Sequence, residues 1–267
     1  MRSSCKYSLA VDENKIAVIS LRRLFRLILL AIHVLVGIAI TACFAGLLRR
    51  SAFDARYQRL KRWWLARIVR ILGGQVTTYG KPAPAGSLLA SNHVSWLDIP
   101  LLGGQTSITF LSKSEVKDWP VIGWLADKAG TLFIERGKRD GAKGASEKIT
   151  EHLEHQERVL MFPEGTTTDN IQILPFHARL FAAAVSAKVP IQPVAIHYKT
   201  AQGQTHPLIP YLHPQTLMQN LWNILGERQI LIDVYFLPLI DSQVHPRKQL
   251  AALSEYQVRA ALKLHTA

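Results

Sequence analysis

Residues 27–48, LILLAIHVLVGIAITACFAGLL, run for 22 positions without a charged side chain, and that stretch constrains the chain more than any other feature. About 20 apolar residues in a helix cross a hydrocarbon core, so the run predicts a membrane helix over 27–48. A cleaved leader is the rival reading, because basic residues precede the run. The apolar part of a leader usually spans only about 7–15 residues, and here Arg49 and Arg50 follow with no polar cleavage region. Lys15, Arg22, Arg23 and Arg26 flank the run on one side, and Arg49, Arg50, Arg56, Arg59, Lys61, Arg62 and Arg67 on the other. The positive-inside rule then puts the C-terminal body on the cytoplasmic face of the inner membrane. Because both flanks are basic, a helix that re-enters or lies within one leaflet stays open.

Charge follows the same division. The net charge is +13, and residues 1–75 hold 14 Lys and Arg against 3 Asp and Glu, while the remainder is nearly balanced at 18 against 16. Such a surplus suits nucleic acid or anionic lipid, and the apolar run between the charges selects a membrane and excludes nucleic acid as the partner. Beyond the run, Phe53, Tyr57, Leu60, Trp64, Ile68 and Ile71 recur every three or four residues, with Arg56, Arg59, Lys61, Arg62, Arg67 and Arg70 between them. This predicts a basic amphipathic helix over about 53–72, lying in a headgroup layer, packed on the body, or both. The two cysteines, Cys5 and Cys43, have neither disulfide-framework nor metal-ligand spacing.

Gly73-Gly74 ends that helix, and short apolar runs then alternate with longer helical stretches. Strands are expected at 76–80, 87–91, 108–112, 131–135, 158–162, 191–198 and 229–237, and helices near 95–104, 117–129, 140–156, 176–187, 214–226 and 247–265. The fold class is therefore α/β, a mixed, largely parallel sheet covered by helices. The organisation is a membrane-anchoring segment over 1–75 and a catalytic domain over 76–267.

Three stretches carry chemistry. In SLLASNHVSWLDIP, residues 87–100, a strand delivers Asn92 and His93 into a turn ahead of Asp98. A transfer to an alcohol needs a base, which histidine supplies near neutral pH, and a carboxylate can orient the ring. Positions five apart on a regular helix point about 140° away from each other, so the pair meets only if His93 sits in the turn and Asp98 reaches back. In RVLMFPEGTTTDN a strand runs into Pro163, Glu164, Gly165 and Thr166, placing polar groups at the sheet edge where α/β ligands bind. In GTLFIERGKRDGAKGA, Arg136 follows a strand, with Lys138, Arg139 and Lys143 after it in a glycine-containing loop; Arg136 suits a phosphate or carboxylate, while Lys138 and Arg139 read as a solvated basic loop. There is no GxSxG and no HExxH, and His152 and His155 lie on a polar helix face.

Together these stretches resemble the glycerolipid acyltransferases, the HxxxxD family that includes 1-acyl-sn-glycerol-3-phosphate acyltransferases. NHVSWLD resembles the first family motif, FIERG and FPEGT the second and third, and VPIQPVAI the fourth, all in order over residues 75–240. The resemblance implies His93 as general base with Asp98 as its partner, and Arg136, Glu164 and Gly165 at the acceptor. Asn92, Thr166 and Lys113 join them as expected substrate-binding positions. It further implies an acyl-CoA or acyl-carrier-protein donor, a lysolipid acceptor, no covalent intermediate, and neither cofactor nor metal. Phosphatidate-forming members commonly carry Arg after FPEGT, where Thr167 stands here. The expected acceptor is 1-acyl-sn-glycerol-3-phosphate, with lyso-ornithine lipid as the alternative. A basic membrane-surface adaptor without catalysis is the reading from a different class.

Overall fold

The computed structural model describes residues 13–134 and 141–263. Helix α1 (Glu13–Thr41) passes through a π-helical stretch (Ala42–Leu47) towards α2 (Ala55–Ile71). The body follows as β1 (Gly74–Tyr79), β2 (Ser87–Ser91), α3 (Asp98–Gln105), β3 (Thr109–Lys113), a 3-10 turn (Ser114–Asp118), α4 (Ile122–Lys128) and β4 (Leu132–Ile134). It continues through α5 (Gly141–Glu154), β5 (Arg158–Met161), α6 (Ala182–Ala187), β6 (Ile191–Lys199), α7 (Leu217–Gly226), β7 (Ile230–Phe236) and α8 (Arg247–Ala261).

The strands form one sheet in the order β1-β7-β6-β2-β5-β3-β4. Pairing is parallel throughout except between β6 and β7. All five residues of β2 are buried, as expected of a central strand covered on both faces. Side-chain alternation divides the core in two. Leu88, Ala90, Val159 and Met161 meet Ile149 of α5 and Leu250 of α8 on one face. Leu89, Leu160, Val194 and Ile196 meet Leu65 and Val69 of α2, Leu101 of α3 and Ile224 of α7 on the other.

The inner face of α2 is thus part of the core. Its contact with α3 is close because Gly104 lacks a side chain: a Cβ there would lie 2.9 Å from the Ala66 backbone nitrogen. Lys61, expected among the solvated bases, is buried. The helical period places it between Tyr57 and Leu65 on the inward face, where its Nζ donates to the carbonyls of Ala129 (3.2 Å) and Ile108 (3.5 Å). Burial pushes its pKa down to about 8, against the opposing pull of Glu157.

Helix α1 begins well before the apolar run that foretold it. Arg22, Arg23 and Arg26, expected as a charged flank, dock instead on the carbonyls at the end of α7. Arg22 donates to Gly226 (2.7 Å), Arg23 to Trp222 (3.1 Å) and Arg26 to Glu227 (2.5 Å). Carbonyls at a helix C-terminus lack intrahelical partners and carry partial negative charge, so cations stabilise them. Further along, His33 and Trp64 exchange two side-chain-to-carbonyl bonds at 2.9 and 2.7 Å. The stretch Ile16–Leu47 is long and apolar enough to cross a membrane. Leu21, Leu24, Phe25, Ile28, Ile32 and Leu35 are exposed on it.

Candidate active site

The site forms where β2 leaves the sheet. Asn92 continues the strand's pairing with its side chain: Nδ2 donates to the Ile196 carbonyl (3.0 Å) and Oδ1 accepts from the Ile196 amide (2.8 Å). Asn170 does the same one residue pair further along, donating to Ile196 (2.9 Å) and accepting from Tyr198 (3.0 Å). With both clamps on β6, the backbone can turn away at His93 without stranding polar groups.

His93 lies in that turn and Asp98 opens α3, so the two side chains meet with Nδ1 of the ring 2.7 Å from Oδ2. Asp98 is wholly buried yet fully partnered. Its Oδ2 also accepts from the amides of Val94 (2.8 Å) and Ser95 (3.0 Å), and its Oδ1 accepts from the Tyr198 hydroxyl (2.6 Å). Four donors converging on one carboxyl match its ionised, acceptor-only form. The His93 ring stacks on Phe162 with centroids 3.9 Å apart and planes inclined by 12°, and its side chain is 21% exposed. With Nδ1 facing Asp98, Nε2 is the nitrogen left for a substrate.

The loop after β5 supports the turn from below. Glu164, 3% exposed, accepts from the His93 amide at Oε1 (2.7 Å) and from the Leu174 amide at Oε2 (2.8 Å). Burial raises its pKa to about 7, and those amide bonds, His93 and Thr168 oppose the shift. Thr168 donates from its amide to the His93 carbonyl at 2.8 Å. Thr167 donates its hydroxyl to the Tyr211 carbonyl, and the Tyr211 amide donates to Val94 (2.9 Å). Gly165 takes a φ of +77° in the same turn, a conformation that glycine adopts without a Cβ penalty.

The structure brings together His93, Asp98, Asn92, Glu164 and Gly165. Asn92 and Glu164, expected against substrate, have their side-chain polar atoms engaged by backbone. Thr166 is exposed on the loop, and Lys113 is exposed at the end of β3. Arg136, Lys138 and Arg139 lie outside the described residues, as does the Lys143 side chain. His152 is bonded to Glu157 at 2.8 Å.

Sequence reasoning missed Tyr198 and Phe162. Tyr198 is completely buried, and burial first, then Asp98, raises its pKa well above the usual phenol range. The available signal was its position two residues beyond VPIQPVAI, on the face shared with Ile196, at the end of a strand. Phe162 was hidden as the last residue of an ordinary apolar strand.

Residues 75–197 match the family profile described as Acyltransferase. The chain is 42% identical over 205 residues to the lyso-ornithine lipid O-acyltransferase of Pseudomonas aeruginosa, covering 77% of this chain and 79% of that one. It is 34% identical over 187 residues to the 1-acyl-sn-glycerol-3-phosphate acyltransferase of Neisseria gonorrhoeae, covering 68% and 73%. The crystal structure of the 1-acyl-sn-glycerophosphate acyltransferase of Thermotoga maritima superposes with a TM-score of 0.70 over 93% of this chain and 96% of that one, at 21% identity, and so shares the fold. These likenesses set aside the adaptor reading. The protein is an O-acyltransferase, a member of the glycerolipid acyltransferase family.

Proposed function

We infer that this enzyme moves a fatty acyl chain from a thioester, acyl-CoA or acyl-carrier protein, to the free hydroxyl of lyso-ornithine lipid. His93 Nε2 takes the hydroxyl proton as the oxygen attacks the thioester carbonyl. Asp98 holds the ring and stabilises the imidazolium that forms. As the C–S bond breaks, His93 returns the proton to the departing thiolate. Asn92, Glu164 and Gly165 shape the turn, and acceptor binding is assigned to Thr166, Lys113 and Arg136.

Thr167 carries the choice of acceptor. Where phosphatidate-forming members commonly hold Arg, this chain has a hydroxyl bonded to the Tyr211 carbonyl, and a phosphate monoester loses a cation there. Relatives named lyso-ornithine lipid O-acyltransferases, at 42%, 36% and 34% identity, support the same choice. 1-Acyl-sn-glycerol-3-phosphate is the second reading, favoured by the Neisseria relatives at 34%. Purified enzyme given acyl-CoA and both lysolipids, with products resolved by mass, decides between them. Diacylated ornithine lipid should form faster, and a preference above tenfold for the phosphate acceptor would reverse the order.

Residues 1–75 attach the enzyme to the cytoplasmic face of the inner membrane, and residues 76–267 carry the chemistry. The exposed apolar side of α1 supports this reading, and Trp119, Ile122 and Trp124 on and beside α4 add apolar surface. A wash in about 1 M salt screens surface charge but not apolar insertion. The enzyme should stay in the membrane pellet, and complete release would contradict an inserted helix.

A further inference from the structure

Beside the His93 turn lies a groove of about 420 Å³ between segments 167–174 and 205–215. Its walls include Ile171, Leu208, Pro210 and Leu212, with Asp169, Thr205, His206 and Gln215 as polar members, and among the described residues no Lys or Arg lines it. Both walls are bonded to the catalytic turn. Thr168, next to Asp169, donates to the His93 carbonyl, and Tyr211, between Pro210 and Leu212, donates to the Val94 carbonyl. His206, also in the lining, is turned towards Glu227 at 3.3 Å.

Asp169 is half-buried. Its Oδ1 accepts from the amides of Ile171 and Gln172, both at 2.9 Å. Its Oδ2 has no hydrogen-bond or ion-pair partner among the described residues. A carboxylate with one open oxygen in a largely apolar wall favours a cation, because the low local dielectric strengthens the pair. It repels a phosphate monoester for the same reason, so one group both attracts and rejects. An ornithine headgroup offers an ammonium, which 1-acyl-sn-glycerol-3-phosphate lacks.

We propose that Asp169 is a specificity-determining residue whose carboxylate pairs, in this groove, with the side-chain ammonium of an amino-acid lipid headgroup. The inference rests on the acceptor reading above. It makes the groove the headgroup subsite, held at the reacting end by the bonds to the His93 turn.

Asp169→Asn tests it cleanly, since the amide keeps an acceptor for the Ile171 and Gln172 amides and removes only the charge. Full-length enzyme is assayed with acyl-CoA on lyso-ornithine lipid, on the same lipid acetylated at its side-chain amine, and on 1-acyl-sn-glycerol-3-phosphate. Wild type should favour the free amine over the acetylated lipid by roughly 10–100-fold in kcat/KM, the range expected for a charged hydrogen bond. Asp169→Asn should lose that discrimination while holding or gaining rate on the phosphate acceptor. Equal losses on all three lipids, or unchanged discrimination in the variant, would overturn the inference alone. Wild type that acylates only the phosphate acceptor would overturn the acceptor reading and this inference with it.

Discussion

Asp98→Asn separates what Asp98 does for the fold from what it does for the chemistry. The asparagine carbonyl oxygen can take the place of Oδ2, where three donors converge from His93, Val94 and Ser95. Its NH2 then falls at the Oδ1 position, facing the Tyr198 hydroxyl, which can turn to accept. Every buried polar group keeps a partner and the ring keeps its tautomer, so folding should survive almost intact. What disappears is the charge. Two unit charges about 4 Å apart at an effective dielectric near 20 interact by about 4 kcal/mol, or about 10³ in rate if the whole imidazolium forms in the transition state. Asp98→Ala instead leaves two backbone amides, the Tyr198 hydroxyl and the His93 ring nitrogen unpaired in the core, at about 1–3 kcal/mol each. The assay is turnover of acyl-CoA with lyso-ornithine lipid in detergent beside a thermal unfolding curve. Asp98→Asn should unfold near wild type and turn over about 10³-fold more slowly, while Asp98→Ala should fail to fold. Turnover above about a third of wild type in Asp98→Asn, or equal destabilisation by both variants, would rule out a charge-stabilising role for Asp98.

Tyr198→Phe leaves Oδ1 of Asp98 buried without a donor, costing about 1–3 kcal/mol of stability. It should lower kcat by roughly tenfold with little change in KM, since the hydroxyl acts through Asp98 and not on substrate; an unchanged kcat would remove Tyr198 from the catalytic network. Glu164 gives a pH dependence of stability. Its folded pKa of about 7 lies above its ordinary 4.5, so its contribution is complete below about pH 4.5 and is lost as pH rises through 7, up to about 3 kcal/mol. The thermal midpoint of wild type relative to Glu164→Gln should therefore fall from pH 5.5 to 8.5, and a constant difference would contradict the shift.

Local pattern made most of the sheet legible. Every expected strand appears within about two residues of its place, because each is a short apolar run bounded by turn residues. Their order does not follow from such runs: nothing within VTTYG says that it pairs with β7 at an edge. Helix expectations failed where single residues intervene. Pro120 and Val121, the latter at a φ of +63°, split the segment expected over 117–129 into a 3-10 turn and α4. The helix expected from 176 begins at Ala182, since the amides of Phe176 and His177 bond to Glu255 and Pro163. At the site, the five-residue gap between His93 and Asp98 stated which backbone the pair required. It held no information about Tyr198, a hundred residues away, or about the amides that engage Glu164.

His93→Ala in the purified enzyme, given acyl-CoA and lyso-ornithine lipid, with the diacyl product quantified by mass over time, tests the general-base role of His93 most directly. Loss of the base should cut turnover by roughly 10²–10⁴-fold, with an unfolding midpoint close to that of wild type. Turnover above about a third of wild type in a folded His93→Ala protein would contradict that role.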